Sequence, residues 1–138
     1  MEKIYSKIEP KKLLHTICRK KEITSRREEF AGANEVIQAA TIMLKKDEQV
    51  PAHRHLENAR TTSTTQEFVC VIEGELMAEF YDIDGSFIER AILKEGDCYV
   101  SYGGGHGIKS LKDNTKLYEI KNGPYPGKER DKAGIEGQ

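Results

Sequence analysis

From Glu67 to Ile120 the chain is written as short β-rich runs, cut at regular intervals by turn residues, and this pattern most limits the folds open to it. The runs are Glu67–Ile72, Leu76–Tyr81, Phe87–Leu93, Cys98–Ser101, Ile108–Leu111 and Lys116–Ile120, rich in β-branched and aromatic residues. Glu73-Gly74, Asp82-Ile83-Asp84-Gly85, Gly96-Asp97 and Asp113-Asn114 separate them, and the joint at 82–85 is a strong hairpin signal. Short strands at spacings of about ten residues predict an antiparallel sandwich or barrel. A closed or doubled sheet also removes the unpaired strand edges that so much β structure would otherwise expose.

Upstream the pattern is less regular. Pro10 suits a first helical turn, and Leu13, Leu14 and Ile17 fall on one helical stripe, so a short helix is expected over Pro10–Cys18, with His15 on or beside it. Arg19 to Glu29 is a dense charge run, read as a solvated connector. Val36 to Leu44 and Val50 to His55 read as strands, the second opened by Pro51, an allowed place for proline. The hydroxyl-rich stretch 56–65 is expected to be an exposed loop, either a lid over a ligand or a tolerated insertion. The expected organisation is thus one domain: a helix and connector over 1–34, a β-barrel over 35–121 and an irregular tail over 122–138.

A length of 138 residues fits one domain with a real core. Lys plus Arg number 22 against 23 Asp plus Glu, a net charge of −1, so no electrostatic footprint for nucleic acid or an anionic membrane is present. No apolar run approaches the ~20 residues that cross a bilayer, and Met1–Lys7 has no apolar stretch of the signal-peptide kind. Three widely spaced cysteines without a CxxC argue against a disulfide framework and lead to the expectation of a reduced, cytoplasmic setting. In strands, Cys70 and Cys98 read as buried small hydrophobes.

The candidate site centres on Pro51-Ala52-His53-Arg54-His55. Histidines at i and i+2 of an extended strand point to one face. If that face is a barrel interior, Glu67 and His106 from other strands complete a nitrogen-rich, oxygen-containing set suited to a divalent transition metal. The expected metal ligands are therefore His53, His55, Glu67 and His106. Three imidazoles and a carboxylate leave positions open for water or substrate and suit iron(II), manganese, nickel or zinc. Such an ion could polarise a carbonyl, activate water or bind dioxygen. Tyr102 and Arg26 are candidate contacts for a small-molecule substrate, and Gly103-Gly104-Gly105 reads as a tight corner rather than a phosphate cradle.

These residues resemble the cupins, a double-sheet jelly-roll family. His53-x-His55 and the run from Glu67 to Gly74 match the two halves of the first cupin motif, and Gly96-Asp97 with His106 matches parts of the second. Asp47 stands where the first motif begins with glycine, and eleven residues, Leu56 to Gln66, replace a much shorter spacer. In the second motif Tyr102 replaces proline, His106 arrives one residue early, and Ser110 stands where asparagine closes it. More narrowly the chain is similar to the small WbuC-like cupins encoded among bacterial surface-polysaccharide genes. The similarity lies in Pro51–His55, the Glu67–Gly74 strand, Tyr81-Asp82-Ile83-Asp84-Gly85 and Glu119-Ile120-Lys121-Asn122-Gly123-Pro124-Tyr125. The resemblance implies an all-β cupin barrel with a short N-terminal helix, a homodimer, and a bound metal held by His53, His55, Glu67 and His106. It also implies action on a small polar molecule such as a sugar or sugar nucleotide, by an isomerase, epimerase or dioxygenase-type reaction. A non-catalytic sensing module, or a structural partner of a sugar-modifying enzyme, is the alternative.

Overall fold

The computed structural model describes residues 1–135. It is all-β and antiparallel. Ten strands carry it: β1 (Glu2–Tyr5), β2 (Leu13–Cys18), β3 (Arg27–Glu29), β4 (Ala40–Ile42), β5 (Glu67–Glu73), β6 (Glu75–Tyr81), β7 (Phe87–Lys94), β8 (Cys98–Ser101), β9 (Gly105–Ser110) and β10 (Lys116–Lys121). A helical turn, α1 (Lys128–Asp131), follows them. The strands form a five-stranded sheet in the order β1-β2-β8-β5-β10, a three-stranded sheet β7-β6-β9 and a small β3-β4 ribbon.

Alternation along each strand decides which side chains meet. Ile17, Tyr99, Val69 and Val71 of the larger sheet pack on Leu76, Ala78, Phe80, Ala91 and Leu93 of the smaller one, and Ile4 joins them. Ile17, Phe80 and Leu93 are wholly buried there, each burial contributing roughly 1.5–3 kcal/mol relative to exposure. The other face of the five-stranded sheet is covered too. Cys18, Cys98, Val100 and Tyr102 form a second cluster with Phe30, against which Ile23, Ile37 and Ala39 pack. This double cover explains why all four residues of β8 are buried.

The helix expected over Pro10–Cys18 is a strand instead, β2, paired on one side with β1 and on the other with β8. Leu13, Leu14 and Ile17 do fit a helical stripe, but five consecutive residues of β2 are buried. A helix would turn part of that run to solvent. A strand between two neighbours, covered on both faces, buries all of it and satisfies its backbone groups in the ladders. Pro10 lies in the preceding turn, where the Ser6 hydroxyl accepts hydrogen bonds from the Ile8 and Glu9 amides. Residues 1–18 are therefore part of the main sheet.

Two further expectations fail. Of the stretch Val36 to Leu44 only Ala40–Ile42 is strand, and Val50 to His55 forms none. Pro51 offers no amide donor and the run offers no apolar face to bury, so nothing recruits it to a sheet edge. The charge run after Cys18 is only partly a solvated connector. Arg19 donates to Glu2 and Asp97 and pins the start of a short 3-10 turn, Lys20–Glu22, against the β7–β8 corner. At the opposite end Asp82 clamps the N-terminus. Its carboxylate accepts from the Ser6 hydroxyl at 2.6 Å, the Lys7 amide at 2.6 Å and the Ile83 amide at 2.8 Å. Among the described residues no helix is long and apolar enough to cross a membrane.

Candidate functional site

Four neighbouring strands set one rung of polar residues. His15 of β2 lies opposite Ser101 of β8, Ser101 lies opposite Glu67 of β5, and Glu67 lies opposite Lys121 of β10. Directly paired residues share a face of the sheet. That face is the one turned to the three-stranded sheet, because Ile17, Tyr99 and Val69, two residues along, belong to the core between the sheets. From the facing sheet comes His106, placed by its pairing with Phe80 on β6.

His106 Nε2 stands 3.0 Å from Glu67 Oε1. Glu67 is only 5% exposed. Burial pushes its carboxyl up, but the hydrogen bond and charge of His106, with the ammonium groups of Lys132 and Lys121, outweigh it and hold the pKa below the usual carboxylate value. An ionised carboxylate only accepts hydrogen bonds, so the contact places a His106 proton on Nε2, and in the neutral form of the ring Nδ1 is the acceptor. Lys132 Nζ lies 4.0 Å from the other carboxylate oxygen.

Around this pair the core is unusually polar. The Tyr99 ring stands edge-on to His106 at 5.7 Å between centroids and to Phe80 at 5.3 Å, and the His15 ring lies 4.7 Å from Phe80. Both His15 ring nitrogens and the Tyr99 hydroxyl are buried without a hydrogen-bond partner among the described residues. Burial lowers the His15 pKa to about 4, with the nearby Tyr81 carbonyl opposing and His106 adding to the fall. Burial also raises the Tyr99 phenol, and the negative charges of Glu67 and Glu119 raise it further. Orphaned buried polar atoms call for water or a bound molecule.

The other expected site residues lie elsewhere. His53 and His55 sit in the exposed, irregular stretch 49–65, the His53 Nδ1 3.0 Å from the Pro51 carbonyl. Among the described residues no three His, Cys, Asp or Glu side chains gather where one metal ion could be held. His53, His55, Glu67 and His106 do not gather as one four-ligand centre: Glu67 meets His106, and the His53 and His55 rings stand beside each other in the exposed segment. Tyr102 is 5% exposed in the cluster on the other face, where its hydroxyl donates to the Phe30 carbonyl at 2.8 Å. Arg26 is paired with Glu48. Neither is turned to the His106–Glu67 pair.

His15 is the residue that the sequence pattern hid. Once 13–18 is a strand, His15 and Ile17 alternate onto the inner face, and Ile17 declares that face as core. No family model, no curated protein and no solved structure matches this chain.

Proposed function

We propose that the chain is a cupin-type protein that binds a small polar molecule between its two larger sheets and performs acid–base chemistry on it with His106 and Glu67. The observation that carries this reading is the 3.0 Å contact between His106 and Glu67 beside buried, unpartnered donors. In this reading the Glu67 carboxylate fixes the ring tautomer and stabilises the imidazolium that forms when Nδ1 takes a proton. Tyr99 and His15 offer hydrogen bonds to a polar ligand in place of the partners they lack. The cupin architecture is supported by backbone as well as by motif. Asp47 takes φ 63° and Gly96 φ 83°, left-handed conformations at the two positions where the cupin motifs begin with glycine. A sugar or sugar nucleotide is the substrate class that the WbuC-like resemblance brings.

A second reading keeps the metal. His53 and His55 face each other edge-on with ring centroids 5.3 Å apart, the one observation that favours them as ligands to iron, manganese, nickel or zinc. Stoichiometric metal in the purified protein, lost in His53→Ala/His55→Ala, supports that reading; no uptake from any of the four ions ends it. The reading also carries a homodimer. Among the described residues β10 is an edge strand, and its Tyr118 and Ile120 are 65% and 59% accessible.

The acid–base reading is tested by thermal-shift titration of the wild type, Glu67→Gln and His106→Asn with a panel of sugars, sugar phosphates and nucleotide sugars. A ligand that stabilises the wild type and neither variant supports it. Equal stabilisation of all three, or of none, overturns it.

A further inference from the structure

A cavity of about 400 Å³ is lined by Glu119, Lys121, Tyr125, Lys128 and Lys132, the last of which reaches to 4.0 Å from Glu67. Three of its five lining residues are lysines. Lys121 and Glu119 come from β10, on the side of the sheet that carries Glu67. The other lysines come from α1 and the residue after it, so a segment that looks like a charged tail in the sequence forms one wall. That wall is fastened in place: Asp131 accepts from Lys121 Nζ and from the Thr65 hydroxyl, both at 3.1 Å. Lys121 Nζ also lies 4.7 Å over the centre of the Tyr125 ring.

The charges within the cavity are not balanced. Lys121 is shared between Asp131 and Glu119, at 3.1 and 3.6 Å. Among the described residues Lys132 has a long contact with Glu67, at 4.0 Å, and its charge also acts on Asp131, while Lys128 has no ion-pair partner. Two lysines thus line a concave space together with the ring of Tyr125. Lysine presents its charge as a point with three donors, which suits the several oxygens of a phosphoryl group.

We infer that this cavity binds the phosphoryl group of a phosphorylated small molecule, whose remainder extends to His106 and Glu67. The far end of that ligand rests on the function proposed above; the lysine cavity does not. Lys132 joins the two parts, because its ammonium stands between the cavity and the Glu67 carboxylate.

The test uses the whole chain and two probes, inorganic phosphate and pyrophosphate, followed by calorimetry and by 31P line broadening in low-salt buffer. The wild type should bind pyrophosphate saturably, more tightly than phosphate, and Lys128→Gln/Lys132→Gln should bind it at least about tenfold more weakly. Lys20→Gln/Lys21→Gln is the control. Those lysines line a different groove, with Arg19, Lys94 and Asp97, and their loss should leave binding unchanged. His106→Asn should also leave pyrophosphate binding intact, so failure of the acid–base reading is seen separately. No saturable binding by the wild type, or equal weakening in the two lysine variants, overturns the inference, since the attraction is then diffuse charge.

Discussion

His106 and Glu67 belong to different sheets, yet their Nε2 and Oε1 atoms lie 3.0 Å apart across the polar end of the core that both sheets share. The pair therefore ties the sheets together as well as offering chemistry. Removing one partner leaves the other poorly satisfied, and Glu67, at 5% exposure, has little access to replacement water. Glu67→Ala should destabilise the chain by roughly 1–3 kcal/mol. A double-mutant cycle with His106→Ala, read by urea denaturation, should give a coupling on the order of 1 kcal/mol. Additive effects of the two substitutions are the result that denies the contact.

His15 makes stability depend on pH. Its ring is buried, and its pKa falls from 6.5 to about 4 on folding. Between those values the unfolded chain takes up the proton while the folded chain does not, so protons favour unfolding. The stabilisation is complete above pH 6.5 and is lost as pH falls towards 4, a change on the order of 3 kcal/mol for a group this deeply buried. The groups facing it are the Tyr81 carbonyl, His106 and Asp82. In His15→Gln the slope of stability against pH in that window should flatten, measured as urea midpoints at half-unit steps. An unchanged slope places the acid sensitivity elsewhere.

The exposed edge of β10 carries a third expectation. With Tyr118 and Ile120 covered by a second copy, light scattering on the eluting protein should give twice the chain mass at micromolar concentration. Ile120→Lys puts a charge into that face and should give the monomer with its fold intact. A wild type that runs as a monomer at all concentrations excludes pairing through this edge.

How much of this could be read from the residues follows from which signals are local. The strands from Glu67 to Lys121 are legible because each is short, β-rich and closed by a turn, and the Asp82–Gly85 joint delivers the β6–β7 hairpin directly. Strand β2 is not legible, because burial on both faces erases the alternation that marks a strand and leaves Leu13, Leu14 and Ile17 at helical spacing. His15 disappears with it. Around His53 and His55 the alternation is real but buries nothing, and side-chain spacing alone does not make a strand. The proximity of Glu67 and His106 could be anticipated from the motif offsets. The Asp82 clamp and the Arg19–Asp97 pair could not, since nothing local announces contacts between residues more than seventy positions apart. The lysine wall was hidden for the same reason: a charged tail shows its composition but not the cavity it closes.

The glycine-rich corner before β9 gives the sharpest structural test. Gly104 has φ 68°, and a Cβ there would collide with the Tyr81 carbonyl oxygen and lie 3.5 Å from His15 Nε2. The first neighbour is backbone in the last residue of β6 and cannot swing aside. The conformation is also one that residues with a side chain rarely adopt. Gly107, three residues on, has no such φ, and its Cβ would meet only the Tyr81 ring at 4.0 Å, an ordinary contact. Gly104→Ala should therefore cost about 2 kcal/mol or more and shift the β9 register that presents His106, whereas Gly107→Ala should stay within about 1 kcal/mol of the wild type. The readout is paired: thermal midpoints for stability, and titration with a ligand that stabilises the wild type for the site. If both alanines behave alike, the Tyr81 carbonyl is not where this corner needs it, and the placement of His106 against Glu67 loses its support.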